Sequence, residues 1–83
     1  MNKYSYPLII HQDEYSLWAE FPDLIGCQTF GESVDEIVNN ATEALICYLE
    51  EELKYSAKLP SPSNKENIIK TDNDDVKIIT ITI

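Results

Sequence analysis

Residues 33–55 read SVDEIVNNATEALICYLEEELKY, which has the pattern of one long amphipathic helix. Ser33 followed three positions later by Glu36 is typical of a capping box at the start of an α-helix, and acidic residues in the first turn complement the helix dipole. The pattern predicts a helix that ends near Tyr55, well before Pro60. Its apolar residues recur at the spacing of one helical face: Val34, Ile37, Val38, Ala41, Leu45, Tyr48 and Leu49.

Three short strands are predicted ahead of this helix. Residues 4–11 and 15–21 alternate between two faces, as β-strands do, with Tyr15 in the apolar set of the second run. Residues 27–30 form a third, shorter run that a glycine ends. Because turn-forming segments separate the runs, we expect an antiparallel meander. Pro7 cannot donate to a β-ladder, so its part of the first strand is expected at a sheet edge or strand start.

The rest of the chain adds one more strand. Residues 56–75 form a polar connection too long for a tight turn, and the β-branched run at 76–83 predicts a final strand. The predicted fold is α+β with the order β-β-β-α-β, in a single domain over residues 1–83 whose ordered core spans about 4–55 and 76–83. A helix that crosses back over one sheet face would place the fourth strand beside the first, parallel to a strand already present.

One helix covers only one face of a sheet, so the composition of the other face matters. In either register the uncovered face includes apolar side chains from the first and fourth strands. These sets are Tyr6, Leu8 and Ile10 or Pro7, Ile9 and His11, and Ile79, Ile81 and Ile83 or Ile78, Thr80 and Thr82. Because contiguous exposed apolar surface is typical of an interaction site, the uncovered face is predicted to bind a partner.

The composition limits which partners are expected. The 83 residues carry 6 basic side chains, all of them lysine, against 15 Asp plus Glu, which gives a formal net charge of −9. Nucleic-acid binding draws most of its affinity from cationic side chains at phosphates, so direct DNA or RNA binding is not expected. A basic protein is the expected partner, and residues 32–55 alone carry a net charge of −6.

Size and apolar runs set further limits. A 9.5 kDa chain buries only about 60–65% of its unfolded surface, so contacts with a partner or with further copies, as a dimer or tetramer, are expected to matter. No apolar run approaches the roughly 18 residues of a membrane span, and no secretory leader is visible. Cys27 and Cys47 are too few for a disulfide scaffold and lack metal-ligand spacing. We expect a reduced, cytoplasmic protein.

Catalysis is not expected. Metal-dependent cleavage of phosphodiesters needs several carboxylates around paired cations, and Glu20 is the only acidic residue inside a predicted strand. Neither Cys27 nor Cys47 has a nearby Lys or His in sequence to lower its thiol pKa, and His11 has no base partner close in sequence. No cofactor and no metal ion are therefore predicted, and a residual nuclease is kept only as a third hypothesis.

Two features have both a structural and a binding interpretation. Trp18 is the lone tryptophan and faces opposite Leu17, so it either packs in the core or anchors an interface, where aromatic residues are enriched. The run from Glu50 to Glu52 opposes the helix dipole. It is either a solvated helix end or an acidic patch that docks a basic partner. The residues alone leave both questions open.

Residues 15–27 read YSLWAEFPDLIGC and resemble the Y-x-W-A-x-F-P-D-L-P-G-C signature of HicB-type antitoxins. Further matches follow in order through the helix, together with residues 6–9 upstream and 59–63 downstream, so the similarity covers about residues 4–63. Ile25 stands where the family usually has proline. An ordered series of matches is far more specific than an isolated motif.

The resemblance implies a partially degraded ribonuclease H-like fold that has lost its catalytic acids. HicB-type antitoxins inhibit HicA, a small basic toxin with a double-stranded-RNA-binding type of fold that cleaves mRNA using a histidine. They do so by covering the active surface of the toxin. Family members commonly carry a C-terminal DNA-binding domain as well, which these 83 residues are not expected to contain.

The leading hypothesis is an antitoxin of a type II toxin–antitoxin system whose partner is a HicA-like basic toxin. The alternative is a stand-alone oligomeric ribonuclease H-like protein without a toxin partner. Under the leading hypothesis, the residues expected to contact the toxin lie on the second and third strands, in the turn between them and near the end of the helix. They are Trp18, Glu20, Asp23, Phe30, Glu50 and Glu51.

Overall fold

Four strands and one long helix make up most of the described chain. The computed structural model describes residues 2–55, 58–68, 71 and 73–83. This order of elements confirms the predicted β-β-β-α-β arrangement, and the predicted connection contains one 3-10 turn; its residues 56, 57, 69, 70 and 72 lie outside the described part of the chain. The elements are β1 (Lys3–Gln12), β2 (Leu17–Glu20), β3 (Gln28–Phe30), α1 (Val34–Tyr55), the 3-10 turn (Lys65–Asn67) and β4 (Asp75–Thr82).

The sheet has the strand order β3-β2-β1-β4, and every neighbouring pair is antiparallel. β4 lies beside β1, as predicted, but it runs antiparallel to it, so the parallel crossover expected from the sequence is wrong. The 22 residues of α1 span about 33 Å, as do the ten residues of β1. The long connection after Tyr55 allows the chain to cross the length of the sheet again, so that β4 enters from the opposite end.

Pro7 lies within β1 at a position where its missing N–H leaves no gap in the ladder. Asn2 and Ile83 exchange both backbone hydrogen bonds. Every second residue counted from Asn2 therefore directs its N–H and C=O groups at β4, whereas the backbone groups of Pro7 are directed away from β4. On that side β1 would meet Pro22, because β2 pairs with β1 only from the Ile9–Glu20 pair. The prediction of an unpaired edge at Pro7 therefore describes the side that faces β2.

The start of β2 corrects the predicted strand at residues 15–21. Oδ1 of Asp13 accepts hydrogen bonds from the backbone N–H groups of Tyr15 (2.8 Å) and Ser16 (2.7 Å), which holds both residues in a turn. Tyr15 is consequently 91% exposed rather than part of the buried set. The alternation of apolar residues predicted too long a strand, because the Asp13 carboxylate accepts hydrogen bonds from backbone N–H groups that a β-ladder would otherwise use.

The core lies between α1 and one face of the sheet. Oγ of Ser33 accepts a hydrogen bond from the Glu36 backbone N–H at 3.1 Å, which confirms the predicted helix cap. Gly31 lets the helix approach closely, since a Cβ there would lie 2.8 Å from Cγ1 of Ile37. Val34, expected in the buried stripe, is exposed. The core side chains include Tyr6, Leu8, Ile10, Ala19, Ile79 and Ile81 from the strands and Ile37, Ala41, Leu45 and Leu49 from the helix.

The segment between β2 and β3 is a tight, hydrogen-bonded loop. The Phe21 backbone N–H donates to the Cys27 carbonyl at 3.1 Å, and Gly26 has φ of +83°, a conformation that glycine adopts without steric cost. Phe21, Leu24 and Cys27 are buried, whereas Ile25 is exposed. Most of the signature motif is therefore structural, and its departure at Ile25 leaves the core unchanged.

Candidate functional site

The face of the sheet opposite α1 is the candidate site, and we call it the helix-free face. Side chains alternate along each strand and cross-strand partners share a face, so the registers assign every strand residue to one side. The residues on the helix-free face are Lys3, Ser5, Pro7, Ile9 and His11 from β1, Trp18 and Glu20 from β2, Gln28 and Phe30 from β3, and Val76, Ile78, Thr80 and Thr82 from β4.

A row of aromatic rings crosses the helix-free face. Trp18 on β2 is the cross-strand partner of both His11 on β1 and Phe30 on β3. The rings of His11 and Trp18 stack with centroids 4.3 Å apart and planes 24° from parallel. Nδ2 of Asn40 on the helix donates to the Phe30 carbonyl at 2.9 Å, which ties β3 to α1. Phe30 is 67% exposed, so this row offers aromatic surface to a partner.

His11 lies between two carboxylates at the end of that row. Its Nε2 is 2.7 Å from Oε2 of Glu20, and its Nδ1 is 3.1 Å from Oδ1 of Asp74. His11 is therefore stacked on Trp18 and lies between the carboxylates of Glu20 and Asp74. β1 supplies His11, and β2 supplies Trp18 and Glu20.

Sequence reasoning missed this histidine cluster. His11 and Asp74 are far apart along the chain, and Asp74 reaches the ring only because β4 folds back antiparallel to β1. The available signal was the alternation of β1, which places His11 in the same set as Pro7 and Ile9. That alternation identifies the face of the sheet but gives no partner for the ring.

Asp74 is held as a carboxylate by its neighbours. The backbone N–H of Thr71 donates to Oδ2 of Asp74 at 3.1 Å. This bond is the main cause that holds the pKa of Asp74 below its ordinary value of 3.8, and the Thr71 side chain and then the proximity of His11 add to it. A carboxyl group whose pKa is lower in the folded state than in the unfolded state stabilises the fold above its unfolded-state pKa. This stabilisation is lost as the pH falls through the folded-state pKa.

We expect the Asp74→Asn variant to lose less thermal stability than the wild-type protein between about pH 4.5 and pH 2.5, because the amide has no proton to bind in this range. The midpoint of thermal unfolding, measured by circular dichroism across this range, checks the difference. The Asn73→Ala variant serves as a control without a titrating group and should follow the wild-type curve. Parallel curves for Asp74→Asn and wild type would contradict the assignment.

Apolar side chains occupy the part of the helix-free face beside β4. Pro7, Ile9 and Val76 are buried there, whereas Ile78 is 47% exposed. Trp18 is half-buried on this face and lies outside the core under the helix, so the core interpretation of its role does not hold. The face combines exposed apolar and aromatic surface with the carboxylate of Glu20.

Asp23, expected at the toxin contact, is engaged within the chain. Its Oδ1 accepts a hydrogen bond from the Ser63 hydroxyl at 2.6 Å, and its Oδ2 accepts one from the Ser63 backbone N–H at 2.8 Å. Nearby, the Tyr6 hydroxyl donates to the Pro60 carbonyl at 2.6 Å, and burial raises the pKa of that hydroxyl, with the charge of Asp23 adding to the shift. Both contacts hold the connection after α1 against the body of the domain.

Glu50 and Glu51 are exposed near the end of α1, in the layer opposite the helix-free face. Glu51 lines an open groove of about 510 Å³ between α1 and the loop around Gly26. Both cysteines line the same groove. Burial raises the pKa of the Cys27 thiol, which keeps it protonated and unreactive at neutral pH. The structure therefore separates the two glutamates from Trp18, Glu20 and Phe30.

Metal-binding clusters and membrane-spanning helices are both absent from the part of the chain that the structure describes. Among residues 2–55, 58–68, 71 and 73–83, no group of three or more His, Cys, Asp or Glu side chains is arranged to hold a metal ion. Within the same residues, no helix combines the length and the apolar character that crossing a membrane requires.

Comparison with known proteins gives one family match and one related sequence. A family model described as the HicB-like antitoxin of bacterial toxin–antitoxin systems matches residues 6–83. The chain is also similar to the UPF0150 protein ssr1258 of Synechocystis sp. The two are 36% identical over 52 residues, which are 61% of this chain and 75% of that protein.

Three solved structures share the fold. A chain of the HicA3 and HicB3 toxin–antitoxin complex aligns with a TM-score of 0.69 and 25% identity, over 90% of this chain and 94% of that one. The N-terminal domain of the Burkholderia pseudomallei antitoxin HicB gives 0.70 and 18%, over 96% and 98%. A chain of a toxin–antitoxin complex from Streptococcus pneumoniae gives 0.80 and 18%, over 98% and 70%. The predicted α+β fold is thus confirmed in independent structures.

Proposed function

The chain belongs to the HicB-like antitoxins of bacterial toxin–antitoxin systems, and we propose that it neutralises a HicA-like toxin by covering the RNA-binding surface of the toxin with its helix-free face. The chain is an antitoxin by family. We propose that the toxin is HicA-like and that the antitoxin binds it through the helix-free face. One observation carries it: the face of the sheet opposite α1 presents the Trp18 row, with Phe30 67% exposed, together with the carboxylate of Glu20.

Aromatic contact is the first support. Interface hot spots are enriched in Trp and Tyr and lie in the middle of the contact, where surrounding residues exclude water. Trp18 occupies the centre of the row between His11 and Phe30. Stacking on His11 at 4.3 Å fixes the indole before binding, so little side-chain entropy is lost when a partner covers it.

Charge is the second support. A surface that binds RNA is rich in Lys and Arg, and this chain has a net charge of −9. Glu20 lies on the helix-free face beside His11, and we propose that its carboxylate faces the basic groups that otherwise contact phosphates. Complementary charge accelerates association and falls off with salt, so inhibition should be fastest at low ionic strength.

The other predicted contact residues are assigned separate roles. We propose that Asp23 holds the connection through Ser63 and does not touch the toxin. Glu50 and Glu51 lie on α1, so they would meet a toxin only at the rim of the contact, as a long-range acidic supplement. Rim charges mainly change association rates.

The proposed action needs no catalysis by the antitoxin. The Cys27 thiol, whose pKa is raised by burial, is a poor nucleophile, and His11 is held between Glu20 and Asp74. A protein that blocks a surface acts in proportion to its amount. We therefore propose that inhibition is stoichiometric and takes place in the cytoplasm, where mRNA is available to the toxin.

The test of this function is a titration of toxin activity. The toxin encoded beside this chain is purified, and cleavage of an RNA substrate is followed as the antitoxin is added. We expect cleavage to stop near a 1:1 ratio without consumption of the antitoxin, and growth of toxin-expressing cells to recover on co-expression. Unimpeded cleavage at a large excess of antitoxin would contradict the proposal.

A further inference from the structure

A row of four side chains crosses the width of the sheet on the helix-free face. Trp18 is the cross-strand partner of Phe30 on one side and of His11 on the other. Extending the β1–β4 register by one residue beyond its last pair places Asp74 opposite His11. The row therefore runs from the exposed ring of Phe30 on β3 to the carboxylate of Asp74, directly before β4.

Asp74 is fixed in place by reciprocal hydrogen bonds with Thr71. The backbone N–H of Asp74 donates to the Thr71 carbonyl at 3.1 Å, and Oδ2 of Asp74 accepts a hydrogen bond from the Thr71 backbone N–H at 3.1 Å. The other carboxylate oxygen, Oδ1, is 3.1 Å from Nδ1 of His11. The turn before β4 thus holds the carboxylate against the histidine ring.

The His11 ring connects Asp74 to two side chains of the proposed toxin contact. Its other nitrogen, Nε2, is 2.7 Å from Oε2 of Glu20, and its face stacks on the Trp18 indole with centroids 4.3 Å apart. Rotation of the ring about its Cβ–Cγ bond would break both nitrogen contacts and the stack. The orientation of the ring therefore depends on Asp74, and the orientations of Glu20 and Trp18 depend on the ring.

Exposure decreases from Glu20 to Asp74. The side chain of Glu20 is 32% exposed, whereas that of Asp74 is 7% exposed. A carboxylate accepts several hydrogen bonds, so Glu20 can accept one from a basic group of a partner while it stays beside His11. Asp74 offers a partner almost no surface and can influence it only through His11.

We propose that Asp74 is a positioning residue of the toxin contact and that it acts through the ring of His11. The ring in turn orders the Glu20 carboxylate and the Trp18 indole. A side chain that is ordered before binding loses less conformational entropy when a partner covers it, so this order favours toxin binding. The inference rests on the proposed function, because it takes the helix-free face as the surface that meets the toxin.

The alternative role of Asp74 is structural, since its bonds with Thr71 close the turn before β4. A structural role lowers the stability of the fold but leaves the toxin affinity of the folded molecules unchanged, and its effect is the same with or without the His11 ring. Substitutions of residues that act as a unit have non-additive effects on free energy. A double-mutant cycle between Asp74 and His11 therefore separates the two roles.

The first test measures toxin affinity by titration calorimetry with a catalytically inactive toxin. Asp74→Ala should weaken binding by about 5- to 30-fold, and it should change affinity by less than about twofold when residue 11 is already alanine. Asn73→Ala, at the adjacent exposed position, is the matched control and should bind like the wild type. Wild-type affinity of Asp74→Ala would overturn the proposal, as would an equal loss with and without His11.

The second test needs no toxin. Trp18 is the only tryptophan of the chain, so time-resolved fluorescence anisotropy of the free protein reports the motion of its indole. Asp74→Ala and His11→Ala should each increase the fast internal motion of the indole, whereas Asn73→Ala should not. Unchanged indole motion in Asp74→Ala would overturn the inference whether or not the toxin binds this face. A mobile indole together with wild-type toxin affinity of Trp18→Ala would instead overturn the proposed function, and with it the role of Asp74 in binding.

Asp74→Asn provides the same tests if Asp74→Ala does not fold. It keeps a side-chain oxygen that can accept the Thr71 N–H and removes the negative charge that faces His11. We expect a smaller loss of toxin affinity than for Asp74→Ala, of about 2- to 10-fold, again only when His11 is present. Wild-type affinity and wild-type indole motion in this variant would overturn the proposal.

Discussion

The Trp18→Ala variant should bind the toxin about 30- to 1,000-fold more weakly than the wild-type protein, with a folded structure. Truncation of a central aromatic anchor typically costs about 2–4 kcal/mol of binding free energy, and each 1.4 kcal/mol corresponds to about tenfold in affinity. Trp18 lies outside the core beneath the helix, so its removal deletes contact surface and the stack on His11 rather than core packing. The dissociation constant is measured by titration calorimetry with a catalytically inactive toxin.

The matched control for this prediction is Tyr15→Ala. Tyr15 is also aromatic and lies close in sequence, but it is 91% exposed in a turn and is not on the helix-free face. Its replacement should change toxin affinity by less than about threefold, since surface contacts away from an interface contribute little. If Trp18→Ala, checked for folding by thermal unfolding, bound as tightly as Tyr15→Ala, the helix-free face would not be the toxin contact.

The Leu45→Ala variant should lose about 3–5 kcal/mol of unfolding free energy. Leu45 is fully buried between α1 and the sheet, and deletion of a buried leucine side chain removes its transfer free energy and leaves a cavity. Small domains have about 5–15 kcal/mol of stability in total, so this single change removes a large part of it. Urea unfolding followed by tryptophan fluorescence measures the effect.

Ile78→Ala is the comparison for the core prediction. Ile78 is apolar but 47% exposed on the helix-free face, and its truncation should cost under about 1 kcal/mol. The two variants together separate side chains that hold the fold from side chains available to a partner. Similar losses for both would contradict the assignment of the core to the helix side of the sheet.

The elements with local signals were predicted correctly from the sequence. The start of α1 at Val34 and its end at Tyr55 follow from a side-chain cap and a periodic stripe, both of which depend on neighbouring residues. β3 and β4 were predicted to within one residue of their observed bounds. These features need no knowledge of how distant segments meet.

Features set by long-range contacts were missed or assigned wrongly. The direction of β4 depends on how the connection after Tyr55 returns, and no local pattern specifies that path. The contact of His11 with Asp74 depends on that direction. The hydrogen bonds of Asp23 with Ser63, 40 residues away along the chain, were likewise not predicted.

The distribution of charge links the fold to the proposed action. The net charge of −9 lies in residues 1–55, since the four lysines and four acidic residues from position 56 onward balance each other. Under the proposed function, this acidic part of the chain faces a basic toxin, and the complementary charge accelerates their association.

Competition with RNA tests most directly whether the antitoxin occupies the RNA-binding surface of the toxin. A fluorescent RNA oligonucleotide is bound to a catalytically inactive form of the toxin, and the antitoxin is then added while fluorescence anisotropy is recorded. If the antitoxin covers that surface, one equivalent of the wild-type chain releases the RNA and Trp18→Ala does so only at a large excess. A stable ternary complex of toxin, RNA and antitoxin would contradict it.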